Sequence, residues 1–159
     1  MTVEATETAV STSIVVEAPI ERVFAVFTEE IGSWWPPDHH LLEAELAEMV
    51  FETRVGGHVY DRGVDGSECR WARVLVYEPP SRFVISWDIN TAWKLETDLE
   101  RTSEVEVRFA PEAPERTRVE LEHRNLDRHG EGWEQMRDAV GSDGGWPGSL
   151  RAFAARLKG

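Results

Sequence analysis

The sequence predicts an α+β domain in which an antiparallel meander has one face covered by a helix from the end of the chain. Three observations carry this. Residues 74–87 hold two β-branched and aromatic runs on either side of Pro79-Pro80, which lack backbone donors and force a turn. In the second run Phe83, Ile85 and Trp87 alternate with Val84, Ser86 and Asp88, so one large apolar row shares a face and needs a cover. After Asp127 the apolar period changes from two to about 3.6, and Trp146, Leu150, Phe153 and Leu157 form a helical stripe able to supply that cover.

Taken in order, residues 1–8 are expected to be frayed, and Val10, Thr12, Ile14 and Val16 mark a first strand over residues 9–17. Behind Pro19, the residues Ile20, Val23, Phe24, Phe27 and Ile31 recur at helical spacing, which predicts a short amphipathic helix over 19–29. Trp34 and Trp35, followed by Pro36, Pro37, Asp38, His39 and His40, make an aromatic loop whose rings could close one end of a cavity. Strands over 46–54 and 58–62 flank Gly56-Gly57, and Asp65-Gly66 marks the next turn.

Residues 67–77 and 82–89 form the central hairpin, and 90–94 connect it to a long strand over 96–109, with Pro111 and Pro114 making the following turn. A last strand covers 117–124. Val105, Val107 and Phe109 on one strand and Val119, Leu121 and His123 on the other face one way, with charged residues opposite them. That pattern describes a sheet wet on one side, where opposite charges pair across strands. Trp133, Met136 and Val140 predict a short helix ended by Gly141, and Pro147 opens the final helix, with Arg156 and Lys158 suited to its negative end.

A chain of 159 residues fits a single domain over 1–159, long enough to bury roughly 68–70% of its unfolded surface. Thirty acidic against seventeen basic residues give a net charge of −13, which argues against nucleic acid and anionic membranes as partners. Cys69 stands alone, the acidic start lacks the regions of a secretory signal, and no apolar run is long enough to span a bilayer. A soluble cytoplasmic protein is expected. Seven tryptophans, at 34, 35, 71, 87, 93, 133 and 146, must belong either to the core or to a pocket wall.

A family resemblance rests on residues 18–24 (Ala-Pro-Ile-Glu-Arg-Val-Phe), Gly56-Gly57, Asp65-Gly66, residues 76–83 (Val-Tyr-Glu-Pro-Pro-Ser-Arg-Phe) with Trp87, Thr117 to Val119, and Gly145-Trp146. In their order and spacing the chain resembles the START-like, helix-grip (SRPBCC) superfamily. Within it, the chain is most similar to proteins like the C-terminal domain of the activator of the 90-kDa heat-shock-protein ATPase. The resemblance implies a curved antiparallel sheet of about six or seven strands wrapped around a long C-terminal helix, with short helices after the first strand. It also implies a cavity that often takes a hydrophobic ligand. Lipid carriers, aromatases and cyclases, hormone receptors and stress-response chaperone activators share this fold, so function must be argued from the site.

Trp35, Trp71, Trp87 and Trp146 are the first pocket candidates, two flanking the proposed mouth and two facing the interior; the plain alternative for each ring is core packing. Phe83, Ile85, Val107, Leu121, Leu150 and Phe153 complete the expected ligand-binding walls, with His123 or Arg73 orienting a polar group. His123 equally reads as a buried, hydrogen-bonded histidine, and Arg73 as an exposed one. Adjacent His39 and His40 beside Asp38 do not converge on one ion, so no metal and no cofactor are expected, and Cys69 reads as a packed side chain.

The expected function is binding of a hydrophobic or aromatic small molecule. One alternative is a chaperone activator acting through its surface on a heat-shock protein. The other is an enzyme of the aromatase/cyclase or hydrolase kind, which needs at least two ionisable groups converging in the cavity. His123 alone is visible as an inward candidate, so no catalytic residue is assigned and the chain is read as a binder rather than an enzyme.

Overall fold

The structure is a computed structural model that describes residues 3–5, 8–36 and 39–158. Its strands are β1 (Val3–Ala5), β2 (Val10–Val16), β3 (Leu46–Phe51), β4 (His58–Gly63), β5 (Glu68–Glu78), β6 (Arg82–Trp87), β7 (Ser103–Ala113) and β8 (Arg116–Arg124). All pair antiparallel in one sheet of order β1-β2-β8-β7-β6-β5-β4-β3. Helix α1 (Ile20–Thr28) follows β2, and α2 (Trp133–Val140) and α3 (Trp146–Lys158) follow β8. This is the helix grip: α3 buries Trp146, Leu150 and Phe153 against the sheet.

Two bulges bend β5. Val59 faces Ala72 while Tyr60 faces Arg70, so Trp71 is one residue too many for β4; Val74 faces Ile85 while Val76 faces Val84, so Leu75 is extra for β6. Each bulge raises the local twist of β5. The first also lets two successive side chains, Trp71 and Ala72, both be buried.

The core divides in two. One half is solid aromatic packing: Phe24, Phe27, Phe83, Phe109 and Phe153 meet at centroid distances of 4.8 to 6.2 Å, several edge to face. The other half holds tryptophans that line an opening. Between them, the junction of α2 and α3 is drawn so tight that a Cβ on Gly145 would lie 2.2 Å from the Val140 carbonyl oxygen.

On the outer face of β6, β7 and β8, Glu106 is buried among Arg82, Arg108 and Arg124, the cross-strand pairing expected of the wet side. Burial alone would raise its carboxyl, yet Arg82 and Arg124 hold it below the usual range.

The strands expected over 46–54 and 82–89 end early, at Phe51 and Trp87, and three further differences from the sequence reading have local causes. The stretch 96–102 is a loop rather than strand, because the Glu96 carboxylate accepts from Thr97 and Asp98 N–H and the Asp98 carboxylate accepts from Glu100 N–H, which winds a 3-10 turn before β7. Pro111 lies inside β7 rather than at its turn. It is tolerated there because β6 pairs with β7 only as far as Arg108, so no ladder bond is missing on that side. Of residues 1–8, expected to be frayed, Val3–Ala5 pairs with β2 and most of the rest lies outside the described residues.

Candidate functional site

A cavity of about 420 Å³ opens between the bulged end of the sheet, the α2–α3 junction and the loop after α1. Its walls are mainly apolar. Four tryptophans pack against one another as a single aromatic cluster in its lining: Trp35 to Trp71 at 5.5 Å, Trp71 to Trp87 at 5.6 Å, Trp87 to Trp146 at 5.7 Å and Trp146 to Trp35 at 5.6 Å. The rest of the lining includes Ile89, Val140, Ser149, Trp93 and the His39–Leu41 segment. The Trp87 indole N–H is buried without a partner.

Among the described residues, three ionisable side chains stand in this lining: His39, His40 and Asp61. Asp61, on β4, is almost fully buried, and the Trp71 indole N–H donates to its Oδ1 at 3.4 Å. Burial dominates and pushes the carboxyl up to about 6, against the opposing influence of Trp71 and His40. His40 lies in the same lining, on the loop after α1. Its Nδ1 accepts from the Leu42 backbone N–H at 3.2 Å, so the ring proton sits on Nε2, leaving that nitrogen to donate. The signal for Asp61 was its place two residues after Val59, on the inward face of a strand whose His58, Tyr60 and Arg62 alternate with it. His40 is visible in the sequence only as part of the loop expected to close one end of a cavity, where it is weighed as a metal ligand and not as an acid or base.

The twelve expected ligand residues separate into groups. Trp35, Trp71, Trp87 and Trp146 line the cavity together. Phe83, Ile85, Val107, Leu121, Leu150 and Phe153 are buried in the core but do not reach the cavity lining. Arg73 is half-buried on the other side of the sheet, its guanidinium paired with Asp88 at 3.1 Å and bonded to Thr102 at 3.2 Å.

His123 is sealed behind the tryptophans. The Trp146 indole donates to its Nδ1 at 3.1 Å, its Nε2 meets Ser103 Oγ at 2.7 Å, and the same hydroxyl meets His129 Nε2 at 2.7 Å. Because an indole can only donate, His123 carries its proton on Nε2 and donates to Ser103, which donates onward to His129. Burial pushes His123 down to about 3, so it is a neutral anchor for Trp146.

Asp38 lies outside the described residues, so the weighing of a metal at Asp38-His39-His40 falls partly beyond the structure. Among the described residues no three His, Cys, Asp or Glu side chains gather as a metal group, and no helix is long and apolar enough to cross a membrane. Cys69 is buried opposite Asp61, and burial followed by the Asp61 charge raises its thiol.

A curved sheet gripping a helix, with an aromatic cavity at one end, defines a START-like helix-grip protein. More narrowly, the chain belongs to the family described as Activator of Hsp90 ATPase homolog 1-like protein, which matches residues 17–158. No curated protein matches it. Among solved structures it is similar to the anthrahydroquino-gamma-pyrone synthase Txn09, with 40% identity over 94% of this chain and 96% of that one and a TM-score of 0.67. It is also similar to the self-sacrificing resistance protein CalC from Micromonospora echinospora, at 27% identity, 96% and 95% coverage and a TM-score of 0.70. A protein from Arthrobacter aurescens, 22% identical with a TM-score of 0.68 over 99% and 91% of the two chains, shares the fold.

These relatives correct the reading as a binder rather than an enzyme. A protein 40% identical over nearly the whole of both chains is named as a synthase. Among the described residues His123 does not reach the cavity lining, whereas Asp61, His39 and His40 do.

Proposed function

We propose that this protein is an enzyme of the aromatase/cyclase kind, acting on a planar, fused-ring aromatic carbonyl compound held in the tryptophan-walled cavity. The observation that carries this is a carboxyl poised at about 6 in the cavity wall, with His40, whose Nε2 is left to donate, in the same lining. The name of the 40% identical synthase supplies the substrate class by similarity.

The reaction that fits is an oxygen ring closure with loss of water. A hydroxyl of the substrate attacks a carbonyl carbon, forming one C–O bond; Asp61 takes the hydroxyl proton while His40 Nε2–H donates to the carbonyl oxygen as charge grows on it. Protonated Asp61 returns that proton to the oxyanion, giving a hemiketal hydroxyl; the carboxylate then takes the proton lost from the adjacent ring carbon and passes it to this hydroxyl, which leaves as water as the C=C bond forms. No oxidant or reductant is required. The tryptophan cluster gives a flat substrate an aromatic wall to pack against, and an apolar site strengthens each polar contact made within it. A surface-acting chaperone role rests on the wording of the family description alone, and a pull-down against the cognate heat-shock protein tests it.

The test uses purified protein with hydroxyaryl diketones of two and three fused rings, following the dehydrated product by chromatography and binding by tryptophan fluorescence. Asp61→Asn is expected to keep binding and to lose roughly a hundredfold or more in turnover. Full turnover in that variant, or wild-type binding with no turnover of any fused-ring substrate, would overturn the proposal.

A further inference from the structure

Trp93 stands apart from the four-tryptophan cluster. It lines the cavity, yet it is 45% exposed, the only tryptophan among the large exposed hydrophobics of the described residues. Its backbone is left-handed at φ 59°, a region that non-glycine residues avoid and that asparagine or glycine would occupy with less strain.

The turn is firmly built around that conformation. Asn90 Oδ1 accepts from Ala92 N–H at 2.9 Å and from Lys94 N–H at 3.1 Å, and the Asn90 carbonyl accepts from Trp93 N–H at 2.9 Å. Asn90 N–H donates to the Lys94 carbonyl at 2.8 Å, and Ile89 bridges Leu95 beneath. Thr91 at its base lies close against Gly132, just before α2. A large indole is thus held in a strained conformation, half in water, at the rim of an apolar cavity. A strained backbone and a half-exposed indole at a cavity mouth are both accounted for if an aromatic ligand completes the packing.

We infer that Trp93 is a specificity-determining residue that stacks on the outer ring of a multi-ring substrate whose inner ring lies against the wall formed by Trp35, Trp71, Trp87 and Trp146. This rests on the proposed aromatic substrate class and deepens it. The inner tryptophans serve any aromatic ring; Trp93 favours molecules long enough to reach the rim. Single-ring compounds would sit inside without touching it.

The experiment measures affinity for 1,8-dihydroxyanthraquinone, with three fused rings, and for 2′-hydroxyacetophenone, with one, together with thermal unfolding. The proteins are wild type, Trp93→Asn, Trp93→Phe and Ala139→Trp, the last intruding on the cavity from an exposed position of α2. Trp93→Asn is expected to weaken the three-ring probe roughly five- to twentyfold, to leave the one-ring probe unchanged, and to keep or raise Tm, with Trp93→Phe recovering part of the loss. Ala139→Trp is expected to weaken both probes.

If Ala139→Trp weakens binding while Trp93→Asn leaves the three-ring probe untouched, the cavity reading stands and the role of Trp93 is overturned. Equal losses for both probes, or a lower Tm accompanying them, also overturn it by making Trp93 a general or structural element. Failure of wild type to bind either probe overturns both readings together.

Discussion

Asp61 is a carboxyl inside an aromatic wall, and its protonation should be visible in the rate. With its group poised at about 6 by burial, the charged form that accepts a proton dominates above that pH and is lost below it. Catalytic efficiency is therefore expected to fall about tenfold per pH unit below about 6. The acid limb should disappear in Asp61→Asn, whose residual rate should be flat there. A limb that persists in the variant assigns the titration to another group. Asp61 was hard to find because its chemistry comes from its depth, which alternation along β4 does not reveal. The four tryptophans were legible for the opposite reason: rings that large have to be buried, and their only question was where. His123 shows the limit of the same logic, since alternation placed it on the inner face but could not show that the Trp146 indole occupies its Nδ1.

Helix α3 serves two purposes along one face. Its first turn gives Trp146 and Ser149 to the cavity, while Leu150 and Phe153 fill the solid core and are fully buried. Leu150→Ala is accordingly expected to cost about 3 kcal/mol, read from urea denaturation, by leaving a void that the packed phenylalanines cannot collapse into. Affinity for the three-ring probe should change little, and a parallel loss of affinity would mean that core and cavity are not separate units. The order of elements was readable because strand and helix periods differ so clearly along this chain. Its details were lost where local polar bonds override periodicity, as in the 3-10 turn before β7, and where a bulge breaks it. No pattern in residues 68–78 announces that Trp71 is extra to the ladder, yet that bulge helps bring an indole against Asp61.

Across the whole molecule the buried titratable groups pull stability in opposite directions as pH falls. Asp61 is raised from its ordinary 3.8 to about 6, so the folded state holds a proton that the unfolded state has released; its contribution is fully present below about 3.8 and lost as pH rises through 6. His123 is lowered to about 3 by burial, so the unfolded state binds the proton first, and stability is lost as pH falls from about 6.5 towards 3. His129, also lowered by burial, adds to that loss. Between about pH 6 and 4.5 the carboxyl and His123 each contribute a slope of at most about 1.4 kcal/mol per pH unit, of opposite sign, and largely offset one another. Asp61→Asn removes one side of this balance while leaving an oxygen for the Trp71 N–H. The variant is expected to be more stable than wild type by about 2 kcal/mol at neutral pH. Its advantage should shrink steadily below about 6 and be nearly gone by pH 4.5, as seen in urea midpoints at a series of pH values. Two curves that run parallel across this range would mean that Asp61 is not perturbed by the wall, and the carboxyl on which the proposed chemistry depends would lose its physical basis.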